Sequence, residues 1–132
     1  MAPAILIASG CTSLGLNCTQ VGCEDQVSVS LRGLEADRFY EVEITTEDDI
    51  ILCTIDTGVE MSVTCDDVLY YDIDRGTAFI ALSGAPDSVA ITVQESGTVI
   101  AQEEVRPDYD ETAPNGRACG PICLRAEIPV EL

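Results

Sequence analysis

The sequence predicts an all-β domain, an immunoglobulin-like two-sheet β-sandwich stapled by disulfides. Three observations predict it. Apolar residues recur at every second position in short runs broken by turn residues, which is the period of a half-buried strand. No stretch sustains the 3.6-residue period of an amphipathic helix over three turns. Seven cysteines occur in 132 residues with no His, a density that fits disulfides in an oxidising compartment better than zinc or free thiols in a reduced one. The length suits one domain. Residues 1–10 read as a leader, 11–25 as a cysteine-bearing tether and 26–132 as the sandwich.

The elements follow in order. Val27, Val29 and Leu31 alternate with Ser28 and Ser30 in a first strand. Tyr40, Val42 and Ile44 alternate with Glu41 and Glu43, which gives a second strand with an acidic outer face. Ile50–Ile55 and Met61–Cys65 flank the turn-forming Asp56-Thr57-Gly58-Val59-Glu60 and read as a hairpin. Val68–Tyr71 extends or follows it, and Thr77–Leu82 comes after Asp74-Arg75-Gly76. Ser88–Gln94 and Thr98–Val105 flank Glu95-Ser96-Gly97 in a second hairpin. A long loop, Pro107–Pro121, leads to a last strand from Ile122 to Val130. About eight strands at this spacing suit a two-sheet sandwich.

The cysteine positions sharpen this picture. Pairing Cys53 with Cys65 also pairs Ile55 with Val63 across the turn. Because strand side chains alternate between faces, Ile51, Cys53 and Ile55 then share an apolar face with Met61, Val63 and Cys65, while Thr54, Ser62 and Thr64 lie opposite. A cross-strand bridge here is expected, and closing so short a loop contributes about 3 kcal/mol on the chain-entropy estimate. The other cysteines of the body form two clusters, Cys18 with Cys23 before the first strand and Cys119 with Cys123 before the last. Immunoglobulin-like sandwiches often set their first and last strands side by side and parallel, which would bring both clusters to one end. In-register pairing then joins Cys18 to Cys119 and Cys23 to Cys123. Crossed pairing and closure within each cluster stay open, because sequence does not fix connectivity.

Charge restricts the function classes. The formal net charge is −18, and all six basic residues are scattered Arg. Nucleic-acid binding requires a positive footprint, as does charge-driven binding to anionic membranes, so neither is expected. The acidity reads as a solvated surface, with a cationic partner or metal ions as the functional alternative. Without His, nucleophilic catalysis lacks its usual base, and neither a G-x-S-x-G elbow nor a phosphate-cradling glycine loop occurs. Enzymatic activity is not expected. Three acidic loops carry oxygen ligands of the kind calcium takes: Glu47-Asp48-Asp49, Asp72 with Asp74, and Asp108 with Asp110 and Glu111. The last is the strongest candidate for a weak calcium site because it falls in the longest loop, near Asn115.

The N-terminal run Ala4-Ile5-Leu6-Ile7 ends in Ala8-Ser9-Gly10-Cys11. This resembles the tail of a bacterial lipoprotein signal peptide, whose lipobox closes on a small residue and a lipidated Cys. Ala8 stands where that family prefers Leu, and no positive charge precedes the apolar run. The resemblance implies that Cys11 is the acylated first residue of the mature chain. Setting Cys11 aside leaves six cysteines, enough for three bridges. The closing segment Pro114–Cys123 is similar to that of cysteine-rich bacterial lipoproteins of unknown function. The implied protein is exported and lipid-anchored at the bacterial cell envelope, where it serves as a binding or surface-structural module. The rival expectation is a self-assembling fibre or surface-layer subunit, in which Ala4–Ala8 pairs as a strand with a neighbour's open sheet edge.

Overall fold

A computed structural model describes residues 22–132. Ten strands lie in this span: β1 (Gln26–Arg32), β2 (Phe39–Thr45), β3 (Ile50–Asp56), β4 (Ser62–Cys65), β5 (Tyr70–Asp74), β6 (Thr77–Ser83), β7 (Val89–Glu95), β8 (Thr98–Val105), β9 (Asp110–Thr112) and β10 (Cys123–Glu131). They form two five-stranded sheets, ordered β5-β6-β1-β10-β9 and β4-β3-β2-β7-β8. In the second sheet β4-β3-β2-β7-β8 follows the C″-C′-C-F-G order of a variable-type immunoglobulin domain. In the first, β5-β6-β1 takes the places of D, E and B. The position of strand A, beside B, is filled by β10, which runs parallel to β1 with Val29 opposite Ile128 and Leu31 opposite Val130. First and last strands are therefore the central neighbours of one sheet.

The alternation read from the sequence becomes the core. Val27, Val29 and Leu31 point inward from β1, and Ile80, Leu82, Ile128 and Val130 join them from β6 and β10. The second sheet supplies the facing half, where Tyr40, Val42 and Ile44 of β2 lie beside Ile55 of β3 and Ile91 and Val93 of β7. Burying each such aliphatic side chain contributes about 1.5–3 kcal/mol. The acidic outer face of β2 is as expected, with Glu41 and Glu43 exposed between buried neighbours.

Several boundaries differ from the sequence reading. The run Val68–Tyr71 is replaced by a strand two residues later, because Tyr70–Asp74 pairs with β6 as far as Asp74 opposite Thr77. A two-residue turn, Arg75-Gly76, with φ of 51° and 79°, closes that hairpin, the left-handed pair that matches the twist of antiparallel strands. Ser96-Gly97 does the same between β7 and β8, at φ 52° and 83°. Met61 is exposed rather than part of the buried face, since the last pair of the β3–β4 ladder is Asp56 with Ser62 and Met61 belongs to the turn. The predicted Pro107–Pro121 loop contains a short strand, β9, antiparallel to the start of β10, and a 3₁₀ turn at Arg117–Cys119. Asp110-Glu111-Thr112 carries no apolar alternation, so only tertiary pairing reveals it.

Candidate functional site

Both sheets present one end where the chain enters β1. This proximal end gathers the start of β1 and β10, the β2–β3 turn, the β4–β5 connection and the β6–β7 loop. At the distal end lie the β1–β2 loop, the β3–β4 turn and the two-residue turns. Cys23, just ahead of β1, is bridged to Cys123, the first residue of β10, with Cα atoms 6.1 Å apart. Asp25 reinforces the junction: its Oδ1 accepts from the Leu124 N–H at 2.8 Å, and its carbonyl accepts from the Gly84 N–H at 2.9 Å. Cys53 and Cys65 form the second bridge, in register across β3 and β4. Cys119 is also disulfide-bonded. Its expected partner Cys18, and the lipidation candidate Cys11 with its lipobox, lie outside the described residues.

A cleft of about 270 Å³ opens at the proximal end. Ile51, Val68, Leu69 and Leu82 supply its apolar lining, and Glu47, Asp48, Asp49 and Asp67 its carboxylates. No basic residue lines it, and none of these four acids takes part in an ion pair among the described residues. Glu47 is held in place by the Asp87 N–H, which donates to its Oε2 at 2.7 Å. That bond and others from the backbone hold the Glu47 carboxyl below the ordinary glutamate range. Behind the β6–β7 wall, the Tyr109 hydroxyl donates to the Pro86 carbonyl at 2.7 Å. Burial, then the nearby charges of Glu47, Asp87 and Asp25, push the Tyr109 phenol upward. The acidic turn 47–49 was visible in the sequence, whereas Asp67, Leu69 and Leu82 carry no local signal and reach the cleft only through the sheet packing.

The residues proposed for calcium do not come together. Asp110 and Glu111 are adjacent in β9, so their side chains point to opposite faces. Asp110 lies opposite Arg125 in the ladder, and the Glu111 carboxylate is 2.8 Å from the Arg117 guanidinium. Asp108 precedes the strand. Among the described residues no group of three or more acidic or cysteine side chains is placed to hold a metal ion. The cleft sets exposed carboxylates beside apolar surface at one end of the two-sheet scaffold. Comparison with protein-family models, curated proteins and solved structures finds no match.

Proposed function

We propose that this chain is an exported binding module of the bacterial cell envelope, anchored through lipid on Cys11. The observation that carries the reading is the Cys23–Cys123 bridge between the end of the tether and the start of β10. A load arriving through the tether passes through that bridge into β1 and β10 together, the paired centre of one sheet. The two disulfides among the described residues are compatible with an extracytoplasmic setting. The sheet edges support a tethered module over an assembling subunit. β4 and β9 have four and three residues, and β5 has five, two of them Asp. The longest edge, β8, is interrupted by a bulge between the pairs Val93–Ala101 and Gln94–Val99 and carries Glu103 and Glu104. Short, bulged and charged edges oppose strand addition.

Mass spectrometry of the protein purified from its native cells tests the proposal. The expected product starts at an acylated Cys11. A chain that retains Met1, or has Cys11 unmodified, sinks the anchor. Fibres that retain Ala4–Ala8 would install the assembling subunit in its place.

A further inference from the structure

The two outer faces of the sandwich differ in charge and in the kind of apolar residue they expose, with aromatic Tyr70 and Phe79 on one and mainly aliphatic side chains on the other. On the face of β5-β6-β1-β10-β9, basic residues stand among the acids: Arg32 is 3.5 Å from Glu131, and β10 also carries Arg125 two residues from Glu127. The face of β4-β3-β2-β7-β8 has no such compensation. None of its five strands contains a basic residue. Glu41 and Glu43 project from its central strand, and Asp56 and Glu104 stand toward its margins. Arg38 precedes this face, but its guanidinium is engaged by Glu35 at 3.0 Å and Glu95 at 3.6 Å.

The same face exposes apolar side chains that nothing in the fold covers. Ile50 is 66% exposed, Leu52 54%, Val99 50% and Phe39 47%. Their outward aim follows from the ladder, because Tyr40, Ile51, Cys53, Ile55 and Val93 take the inward positions. Leu52 pairs directly with Glu43, and Thr54 with Glu41. Around these pairs lies a depression of about 290 Å³, completed by Thr92 and Gln94 of β7. An aliphatic wall beside two carboxylates fits a side chain with an apolar stem and a cationic head.

We propose that this face docks a positively charged protein surface that also presents aliphatic side chains, with Leu52, Glu41 and Glu43 at the centre of contact. The inference rests on the binding-module reading and names the face and partner class it would use. A second copy of this chain is the wrong occupant, because face-to-face stacking would set unpaired carboxylates against one another in a desolvated centre. The proximal cleft is the competing location, since it too joins apolar and acidic residues.

The test uses the full chain in solution, where acylation of Cys11 is irrelevant, so failure here leaves the anchor untouched and failure of the anchor leaves this face untouched. The probes are a short peptide alternating lysine and leucine and one of equal length and charge alternating lysine and serine. Amide chemical-shift mapping is expected to centre on the outward residues of β2, β3 and β7, with the leucine peptide bound more tightly. Leu52→Ser is expected to weaken that peptide about tenfold, the scale of one buried leucine in an affinity. Glu41→Gln with Glu43→Gln should weaken it by at least as much, and Asp48→Asn with Asp49→Asn, which removes equal charge at the cleft, by less than about twofold. Equal losses in the two double variants, or equal affinity for the two peptides, would reduce the effect to net charge and overturn the proposal. Shifts centred on residues 46–49 and 67–69 would move the site to the cleft. Concentration-dependent dimerisation abolished by Leu52→Asp would assign the face to a second copy instead.

Discussion

Thr57 shows how much one hydroxyl can organise. It is almost fully buried just beyond β3, where its Oγ1 accepts from the Arg38 N–H at 2.9 Å and donates to the Glu35 carbonyl. Its own backbone closes the same junction, its N–H donating to the Arg38 carbonyl and its carbonyl accepting from the Asp37 N–H. Tyr40 completes the distal loop by accepting from the Glu35 N–H at 2.9 Å. The β1–β2 crossover between sheets is thus held by polar groups that burial makes strong. Thr57→Val keeps the shape and removes the hydroxyl, which leaves the Arg38 N–H and the Glu35 carbonyl without their partner. A loss of about 1–3 kcal/mol is expected in urea unfolding, and Thr57→Ser should lose less. Wild-type stability in the valine variant would show that the backbone bonds alone hold the crossover.

At the scale of elements, the β3–β4 hairpin is the clearest case of sequence dictating geometry. Cys53 and Cys65 are direct partners, and Ile55 lies opposite Val63, as the alternation required. β4 is a four-residue edge strand whose one buried residue is Val63, so little besides the bridge and its ladder holds it. Replacing both cysteines by alanine is expected to reduce stability by about 3 kcal/mol, from a closed loop with a separation of 12 residues. Amide hydrogen exchange should show the largest loss of protection in β4. Uniform loss across both sheets would mean that the hairpin unfolds only with the whole domain.

For the whole molecule, the decisive feature is that chain start and chain end of the sandwich share its central ladder. The Cys23–Cys123 bridge closes a separation of 100 residues, which contributes about 4–5 kcal/mol on the chain-entropy estimate, less any strain. That is a large part of the roughly 5–15 kcal/mol by which small domains are stable. In a Cys23→Ser/Cys119→Ser/Cys123→Ala variant no disulfide reaches this end of β10. Such a chain is expected to lose at least this much and to unfold at far lower urea concentration. A midpoint within experimental error of the native one would show that the parallel β1–β10 ladder suffices by itself.

By itself, the sequence determined the fold class, most of the strands and the Cys53–Cys65 pair, because these depend on contacts a few residues apart and on a period of two. Strand alternation in Val27–Leu31 or Tyr40–Ile44 already states which side chains are core. The parallel β1–β10 neighbours and the Cys23–Cys123 bridge were among the arrangements the sequence left open, and the tertiary structure selected them. Other features it decided alone. β9 has no apolar period and exists because β10 offers it a ladder. Asp110 and Glu111 looked like convergent ligands in a loop and are separated by the pleat of that strand. The proximal cleft draws Glu47 and Asp67 from two connections and Leu82 from β6, and the outer face without basic residues arises only when strands free of them become neighbours in one sheet. Local periodicity encodes which way a side chain points. Which strands lie beside one another is set by packing between residues far apart in the chain, so the chemistry of a shared surface appears only once the sheets are assembled.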